Sequence, residues 1–231
     1  MTETDPLRAA AQTMHEVRER CVWTQQIDHR DLVPYLIEES AELIDAVEEG
    51  SRAELREELG DLLWQVLFHA EIASRDPDDP FDIDDVARGL TGKMVRRHPH
   101  VFAGQIAETP EQVLVLWNAA KAAEKHERTS VLDGVSERMP SLALAQKMLG
   151  KAAQVQVAVP KQGIPAETGG ENPGLGANTL SRDDDPRSEA ALGDALLALV
   201  ATARGNGWDA ERALRERLRV LEDAIRDAER A

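Results

Sequence analysis

The sequence contains little cysteine, few aromatic residues and little positive charge. Its 231 residues include one cysteine and 3% aromatics, and 43 acidic residues against 27 Lys and Arg give a net charge of -16. A single cysteine argues against a disulfide framework and a thiolate metal site. The negative charge argues against a nucleic-acid polymer as partner, because phosphate backbones require a basic surface. A small phosphorylated ligand held through a metal ion is compatible with this charge.

Long hydrophobic runs are absent as well. No apolar stretch is long enough to cross a membrane. The first residues, Met1-Thr2-Glu3-Thr4-Asp5, lack the basic and apolar regions of a signal peptide. We therefore expect a soluble cytoplasmic protein with no membrane partner.

What the sequence does contain favours an all-α fold. Ala, Leu, Glu and Arg dominate, and 42% of the residues are hydrophobic, which is enough to build a core. Apolar periodicity and capping signals predict a series of helices. The predicted segments are Asp5 to about Cys21, Asp31–Glu48, one beginning at the Ser51–Glu54 capping box, Asp82 or Asp84 to before Pro99, Thr109 to about Glu127, one from Pro140, and a helical tail over 188–231.

Acidic residues recur on the second and third predicted helices. Glu38, Glu39 and Glu42 lie on one, and Glu58 and Asp61 lie on the next. Glu39 and Glu42 are spaced i,i+3, as are Glu58 and Asp61, so each pair shares a helix face. Two such helices folded back on each other would bring four carboxylates together, and such a cluster requires a cation.

The identity of that cation is open from the residues alone. The acidic stripe of the second helix, taken by itself, is most simply a solvated surface. Glu58 and Asp61, however, share their side of the third helix with Phe68 and Ile72. Carboxylates at the edge of a buried stripe require a partner, which is either a lysine or arginine or a divalent ion. The acidic neighbours of the second helix favour Mg²⁺, with Mn²⁺ as a substitute.

Basic and aromatic residues provide a candidate substrate-binding group. Lys93 and Arg97 are an i,i+4 pair that could bind phosphate, although cations at a helix C-terminus are also favoured by the helix dipole. Trp117 and Lys121 share a face that suits a base and a phosphate, or equally core packing beside a solvated lysine. Trp23, in a predicted loop, could stack on a ligand, but packing is its more common role.

The composition divides the chain into four parts. We expect a helical catalytic domain over 1–130, a connecting helix over 131–157, a disordered Pro- and Gly-rich linker over 158–187 and a helical region over 188–231. The tail repeats the pattern around Gly60-Asp61 at Gly193-Asp194, but Ala191 stands where the glutamate would be. This pattern indicates a duplicated unit whose second carboxylate pair is broken.

The motifs together resemble the MazG family of all-α nucleoside triphosphate pyrophosphohydrolases. The resemblance covers roughly residues 7–155 and rests on the paired patterns E-E-x-x-E and E-x-x-D. It also includes the run Arg96-Arg97-His98-Pro99-His100-Val101-Phe102 and the spacing Trp117-x-x-x-Lys121.

The resemblance implies a four-helix-bundle-like domain and roles for the motif residues. Glu39, Glu42, Glu58 and Asp61 are implied as metal ligands, with Glu38 and Glu57 beside them. The positions of Lys93, Arg97 and Lys121 match phosphate-contacting cations, and that of Trp117 matches an aromatic near the nucleotide. Members typically carry two copies of the domain and form dimers in which each site uses helices of both subunits. We therefore expect a homodimer.

The sequence departs from the family pattern in two places. The second copy lacks the E-E-x-x-E helix, and its basic pair is replaced by Glu222-Asp223, so we expect it to be inactive. In the first loop, Cys-Pro-Trp-Asp becomes Cys21-Val22-Trp23-Thr24, and Gln-Thr-His becomes Ile27-Asp28-His29. Substrate preference is expected to differ if this loop contacts the base.

The expected reaction is hydrolysis of a nucleoside triphosphate to the monophosphate and pyrophosphate. A metal-activated water would attack the α-phosphate, with Glu38 as the proton acceptor. Removal of modified or oxidised nucleotides is one role that fits. The alternatives are a related enzyme acting on phosphoribosyl-ATP or dUTP and a non-catalytic helical interaction protein. A di-iron bundle is disfavoured because no histidine follows a glutamate by three residues.

Overall fold

The computed structural model describes residues 5–124, 129–157 and 188–230, and every regular element in these ranges is a helix. The chain divides into two compact units, Met1–Lys125 and His126–Ala231. The expectation of an all-α protein is confirmed. None of the helices within the described ranges is long and apolar enough to cross a bilayer.

The first unit is built around a long central helix. Its elements are α1 (Pro6–Arg20), a short 3₁₀ turn (Thr24–Gln26), α2 (Val33–Glu48), α3 (Arg52–Ala73), α4 (Ile83–Arg97), the single-turn α5 (Pro99–Phe102) and α6 (Pro110–Ala123). Helix α3 packs against α1, α2 and α4, and α6 packs against α4 and α5. Because α2 and α3 are joined by a tight turn, they lie antiparallel and in extensive contact.

Local capping interactions explain where the helices begin. At α3 the Ser51 N–H donates to Glu54 Oε2 at 2.6 Å, and the Glu54 N–H donates to Ser51 Oγ at 3.2 Å. The Thr109 side chain caps α6 in the same way, and the Asp5 carboxylate accepts from the Leu7 N–H at the start of α1. These three predicted starts are confirmed, since side-chain oxygens satisfy backbone N–H groups that have no partner within the helix.

One predicted boundary differs from the structure, one helix was not predicted, and one predicted helix end lies outside the described residues. Helix α2 begins at Val33 instead of Asp31, because Asp31 Oδ2 accepts from the Asp28 N–H at 2.9 Å and closes a turn. Helix α5 was not predicted, as Pro99 marks the end of α4 but also occupies the first position of a new turn. The last residues predicted for the fifth helix lie at 125–128, outside the described residues.

The core of the first unit lies between α1, α2 and α3. Met14, Leu32, Leu67 and Phe68 are buried, and partly buried apolar side chains such as Trp64 pack around them. Beyond Leu62, α3 buries Leu67, Phe68, Ala70 and Ala73, whereas Val66 remains exposed. The core therefore covers one side of α3 and leaves the other side partly open.

Helix α2 has two apolar faces. Leu36 and Leu43 are half-buried and Ala46 is buried on the face that packs against α3. A second face is exposed in the isolated chain and is formed by Val33, Ile37, Ile44 and Val47. Residues of both faces fall within one broad arc of the helix, so apolar periodicity alone does not separate the two faces.

The second unit contains three helices within the described residues. They are α7 (Ser141–Gln154), α8 (Glu189–Gly205) and α9 (Ala210–Arg230), and α7 packs against both α8 and α9. The Gln146 amide donates to the Trp208 carbonyl at 2.9 Å and accepts from the Ala210 N–H at 3.2 Å. The helix that we expected to be a connection thus packs with the tail. The predicted linker 158–187 lies outside the described residues.

Candidate functional site

Glu39 occupies a packing position on α2. It lies three residues after Leu36 and four before Leu43, so it is in line with the side chains that face α3. Glu39 is half-buried, whereas Glu38 and Glu42 are exposed. Glu39 therefore faces the neighbouring helix α3.

The carboxylates of α2 and α3 converge at this point. One carboxylate oxygen from each of Glu39, Glu58 and Asp61 lies within 4.8 Å of the others. Glu58 Oε2 is buried and has no hydrogen-bond partner. Asp61 is exposed, so the group reaches solvent on its side. We refer to Glu39, Glu58 and Asp61 as the acidic cluster.

The carboxylates of the acidic cluster lie close enough to repel one another, which raises the pKa values of Glu39 and Glu58. Burial raises the pKa of Glu58, and the charges of Glu42, Asp61 and other neighbouring carboxylates raise this pKa further. Burial likewise raises the pKa of Glu39, followed by repulsion from Asp61 and Glu42. Glu42 is not part of the cluster by distance, but its charge acts on both residues. The site therefore favours either protonation or a bound cation.

No lysine or arginine in the part of the chain that the structure describes neutralises these carboxylates. Among residues 5–124, 129–157 and 188–230, none of the cluster residues or Glu42 forms an ion pair with a basic side chain. Elsewhere in the same unit, by contrast, Glu71 pairs with Arg75 at 2.7 Å. The sequence left open that a lysine or arginine pairs with these carboxylates. The described residues contain no such pair.

The donor set fits a hard divalent cation. Mg²⁺ binds oxygen ligands at about 2.0–2.1 Å in an octahedron, so neighbouring ligand oxygens lie about 3 Å apart and opposite ones about 4.2 Å apart. The oxygens of the acidic cluster lie within 4.8 Å, which small side-chain rotations can close. The buried Glu58 Oε2, which has no partner, is a ready ligand atom. The candidate metal ligands are thus compatible with Mg²⁺ or Mn²⁺.

Sequence reasoning missed Gln65, which borders the acidic cluster. Gln65 follows Asp61 by four residues and Glu58 by seven, so all three lie on one face of α3. Its side chain is only 4% exposed, and its Oε1 has no hydrogen-bond partner. A signal was present in the sequence, namely one polar residue within the apolar run from Leu62 to Phe68.

The predicted substrate-binding residues lie on α4 and α6. Arg97 donates through Nε and Nη2 to Glu124 Oε2 at 2.9 and 2.7 Å. Its guanidinium carbon also lies 5.2 Å from the centre of the Trp117 ring, whose other neighbour is His98 at 5.0 Å between ring centres. The structure thus brings Arg97 and Trp117 together with His98, a member of the Arg96–Phe102 run, and with Glu124, which had no role from the sequence.

The two predicted lysines are half-buried. Lys93 lies one turn before Arg97 on α4, and Lys121 lies one turn after Trp117 on α6. The Glu124 carboxylate accepts from Arg96 as well as from Arg97, and these two arginines lower the pKa of Glu124, with Arg97 as the larger cause. Glu124 is therefore ionised and joins the end of α4 to α6.

The loop that departs from the family pattern packs onto α3. His29 Nδ1 lies 2.8 Å from His69 Nδ1, and the two rings are stacked with centres 5.1 Å apart. Since one nitrogen donates and the other accepts, at least one of these imidazoles is neutral. Burial, followed by the charge of His29, lowers the pKa of His69. Trp23 lies in the same loop and contacts Tyr35 edge-on at 6.2 Å between ring centres.

Comparison with known proteins identifies a matching domain model and several similar proteins. Residues 27–102, which contain all three residues of the acidic cluster, match the MazG nucleotide pyrophosphohydrolase domain. The chain is 45% identical over 218 residues to an uncharacterized 26.1 kDa protein of Streptomyces cacaoi, covering 94% of this chain and 80% of that protein.

Two further relatives are named nucleoside triphosphate pyrophosphohydrolase. The protein of Mycolicibacterium smegmatis is 43% identical over 197 residues, which is 84% of this chain but only 57% of that protein. The protein of Escherichia coli K12 is 32% identical over 234 residues, covering 100% of this chain and 88% of that protein. The chain belongs to the MazG family of nucleotide pyrophosphohydrolases.

Proposed function

We propose that the chain hydrolyses nucleoside triphosphates to nucleoside monophosphates and pyrophosphate with the help of a divalent cation. The observation that carries this proposal is the convergence of Glu39, Glu58 and Asp61 without a basic partner. The names of the MazG relatives support the substrate class. Glu39, Glu42, Glu58 and Asp61 are the residues that would hold Mg²⁺ or Mn²⁺. When bound, the ion supplies positive charge that lowers the pKa of a water and offsets the charge of the phosphates.

The side chains provide the remaining chemistry of the proposed reaction. Glu38 is exposed beside the acidic cluster, and it would take the proton of the attacking water. The water oxygen forms a bond to the α-phosphorus while the bridging bond from that phosphorus to the β-phosphate oxygen breaks. Pyrophosphate then leaves with the electron pair of the broken bond.

Phosphate binding is proposed for Lys93, Arg97 and Lys121, with Trp117 next to the nucleotide. Arg97 uses Nε and Nη2 for Glu124, and its Nη1 is left to donate to a phosphate oxygen. The Trp117 ring packs against that guanidinium and limits its orientations. Glu124 thus presents Arg97 in a defined orientation instead of leaving it as a mobile surface charge.

We also propose that two copies of the chain associate through α2. Val33, Ile37, Ile44 and Val47 form an exposed apolar face on the helix that carries Glu39 and Glu42. Exposed apolar patches on one helix face are typical of protein–protein contacts. A homodimer would cover this face and bring two acidic helices into one assembly, as the family resemblance implies.

The second unit is proposed to lack catalytic activity. Asp194 is exposed on α8, and Ala191 replaces the glutamate that would complete a second carboxylate pair. In the described ranges, the only group of three acidic, histidine or cysteine residues close enough to hold a metal is the acidic cluster of the first unit. Removal of modified or oxidised nucleotides in the cytoplasm is the role we propose for the whole chain.

The proposal is tested by measuring pyrophosphate release from standard and oxidised nucleoside triphosphates with Mg²⁺. We expect Glu58→Ala and Asp61→Ala to abolish release and Asp194→Ala to leave it unchanged. Retained activity in both first-unit variants would refute the site. A non-catalytic protein that kept only the fold would show no Mg²⁺-dependent thermal stabilisation by a non-hydrolysable nucleotide.

A further inference from the structure

Gln65 is a buried polar residue for which the proposed reaction has no role. Its side chain is 4% exposed and lies near Leu67 and Phe68 of the core on the same helix. Its Oε1 has no hydrogen-bond partner. Burying an amide with an unpaired oxygen costs free energy that a methionine of similar length would not. The stability of the fold therefore gives no reason for glutamine at this position.

The surroundings of Gln65 connect it to the acidic cluster. It lies one turn after Asp61 and two turns after Glu58, on the face of α3 that meets α2. As a side-chain hydrogen-bond donor, Gln65 lowers the pKa of Glu39, an effect smaller than those of burial and of the neighbouring carboxylates. The amide nitrogen is the only donor of the side chain, so Oε1, which has no partner among the described residues, remains as an acceptor.

We propose that Gln65 is a positioning residue, whose Nε2–H group holds the Glu39 carboxylate in the orientation in which it meets Glu58 and Asp61 around a divalent cation. Gln65 acts through Glu39 and does not itself contact substrate. Its Oε1, which has no partner among the described residues, would be available as an acceptor at the acidic cluster. Partners of this kind fix the orientation of a metal ligand and so set the affinity of the site.

This inference rests on one part of the proposed function, namely that a divalent cation binds the acidic cluster. It does not depend on which nucleotide is hydrolysed or on whether hydrolysis occurs. If Gln65 had only a structural role, the expected results would be different. It would matter for the stability of the metal-free protein and would not change the affinity for metal.

The experiment is a titration of the full-length protein with Mn²⁺ alone, followed by electron paramagnetic resonance of the free ion. We expect Gln65→Met to bind Mn²⁺ about 10- to 100-fold more weakly than the wild type. Its metal-free melting temperature should stay close to that of the wild type, because removal of the unpaired Oε1 and loss of the donor to Glu39 act in opposite directions. Leu67→Met is the matched control, as it alters a buried neighbour on α3 and should leave Mn²⁺ affinity unchanged.

A double-mutant cycle tests whether Gln65 acts through Glu39. In a Glu39→Gln background, Gln65→Met should cause little further loss of Mn²⁺ affinity, because its partner is already altered. Gln65→Leu provides a second variant should the methionine fail to fold. Equal Mn²⁺ affinity in the wild type and the folded Gln65 variants would overturn the proposal. Additive effects of the two substitutions on Mn²⁺ affinity would also overturn it, and so would a wild type that does not bind Mn²⁺.

Pyrophosphate release is measured separately on the same proteins. A wild type that binds Mn²⁺ in a Gln65-dependent way but releases no pyrophosphate would refute the proposed function and leave the role of Gln65 standing. If the wild type releases pyrophosphate but its Mn²⁺ affinity does not depend on Gln65, the role of Gln65 is refuted and the proposed function stands.

Discussion

At the scale of single residues, the acidic cluster places unfavourable charge where two helices meet. Glu58 has a buried oxygen without a partner and a raised pKa, caused first by burial and then by neighbouring carboxylates such as Glu42. Such an arrangement weakens the metal-free protein, and natural sequences retain local conflicts of this kind mainly at functional sites. This local conflict is the one that the divalent-cation site proposed for the acidic cluster would relieve.

Neutralising Glu58 should separate function from stability. We expect Glu58→Gln to raise the melting temperature of the metal-free protein at neutral pH, because it removes one of the repelling charges. The same variant should show no Mg²⁺-dependent stabilisation and a loss of pyrophosphate release of about 100-fold or more. The measurements are thermal denaturation with EDTA or Mg²⁺ and a pyrophosphate assay. Glu16→Gln, on the exposed surface of α1 beside Arg20, is the control. It should change neither the melting temperature nor pyrophosphate release.

The raised pKa values also predict how stability depends on pH. Because the pKa values of Glu39 and Glu58 are higher in the folded protein than their ordinary value of 4.5, the folded state holds protons that the unfolded chain releases. Their contribution to stability is complete below the ordinary pKa and is lost as pH rises through the raised values.

This dependence can be isolated by comparing two proteins. In EDTA, the melting temperature of the wild type relative to a Glu39→Gln, Glu58→Gln double variant should decrease as the pH is raised from about 4.5 to about 8. Excess Mg²⁺ should abolish the decrease at the upper end of this range. A difference that stayed constant across the pH series would show that these carboxylates are not perturbed.

The residues of the site were only partly predictable from sequence. Glu58 and Asp61 could be paired because i,i+3 spacing fixes which side chains share a helix face. Glu39 joins them only through the packing of α2 on α3, and its predicted partner Glu42 lies outside the cluster. Gln65 was missed because one polar residue in an apolar run carries no periodic signal. Glu124 was missed since its pairing with Arg97 joins positions 27 residues apart, and no local rule predicts such a contact.

At the scale of helices, capping chemistry fixed the boundaries that could be predicted. The Ser51–Glu54 box and the Thr109–Pro110 start are local interactions, so the sequence was sufficient for them. The two apolar faces of α2 are different, because their separation depends on where α3 packs. Periodicity identifies an apolar side but does not show which part of it a neighbouring helix will cover.

The group that joins α4 to α6 yields a matched test of the proposed phosphate-binding residues. Arg96 and Arg97 both bind Glu124, but the side chain of Arg97 is 12% exposed and that of Arg96 is 61% exposed. We expect Arg97→Met to raise KM for the nucleoside triphosphate about 10- to 100-fold, as expected for the loss of a charged hydrogen bond. Arg96→Met should have little effect. Steady-state kinetics would contradict the assignment if the two variants behaved alike.

At the scale of the whole molecule, the exposed face of α2 predicts an assembly. Ile37 is 66% exposed in the isolated chain, and we expect Ile37→Glu to convert a dimer to a monomer because it places a charge in the centre of an apolar contact. Light scattering coupled to size-exclusion chromatography measures the mass directly. Leu7→Glu is the control, since Leu7 is equally exposed but lies on α1. A wild type that is monomeric at all concentrations would rule out this interface.

The position of Glu39 among the packing residues of α2 has a dynamic consequence. When the carboxylates repel each other, this turn of α2 should separate from α3 more often, and its amide protons should exchange with solvent faster. Added Mg²⁺ should slow exchange between Leu36 and Leu43 more than in α1, as measured by mass spectrometry. Magnesium scarcity would then expose this helix pair to proteolysis, so that the supply of the ion controls how long the chain survives.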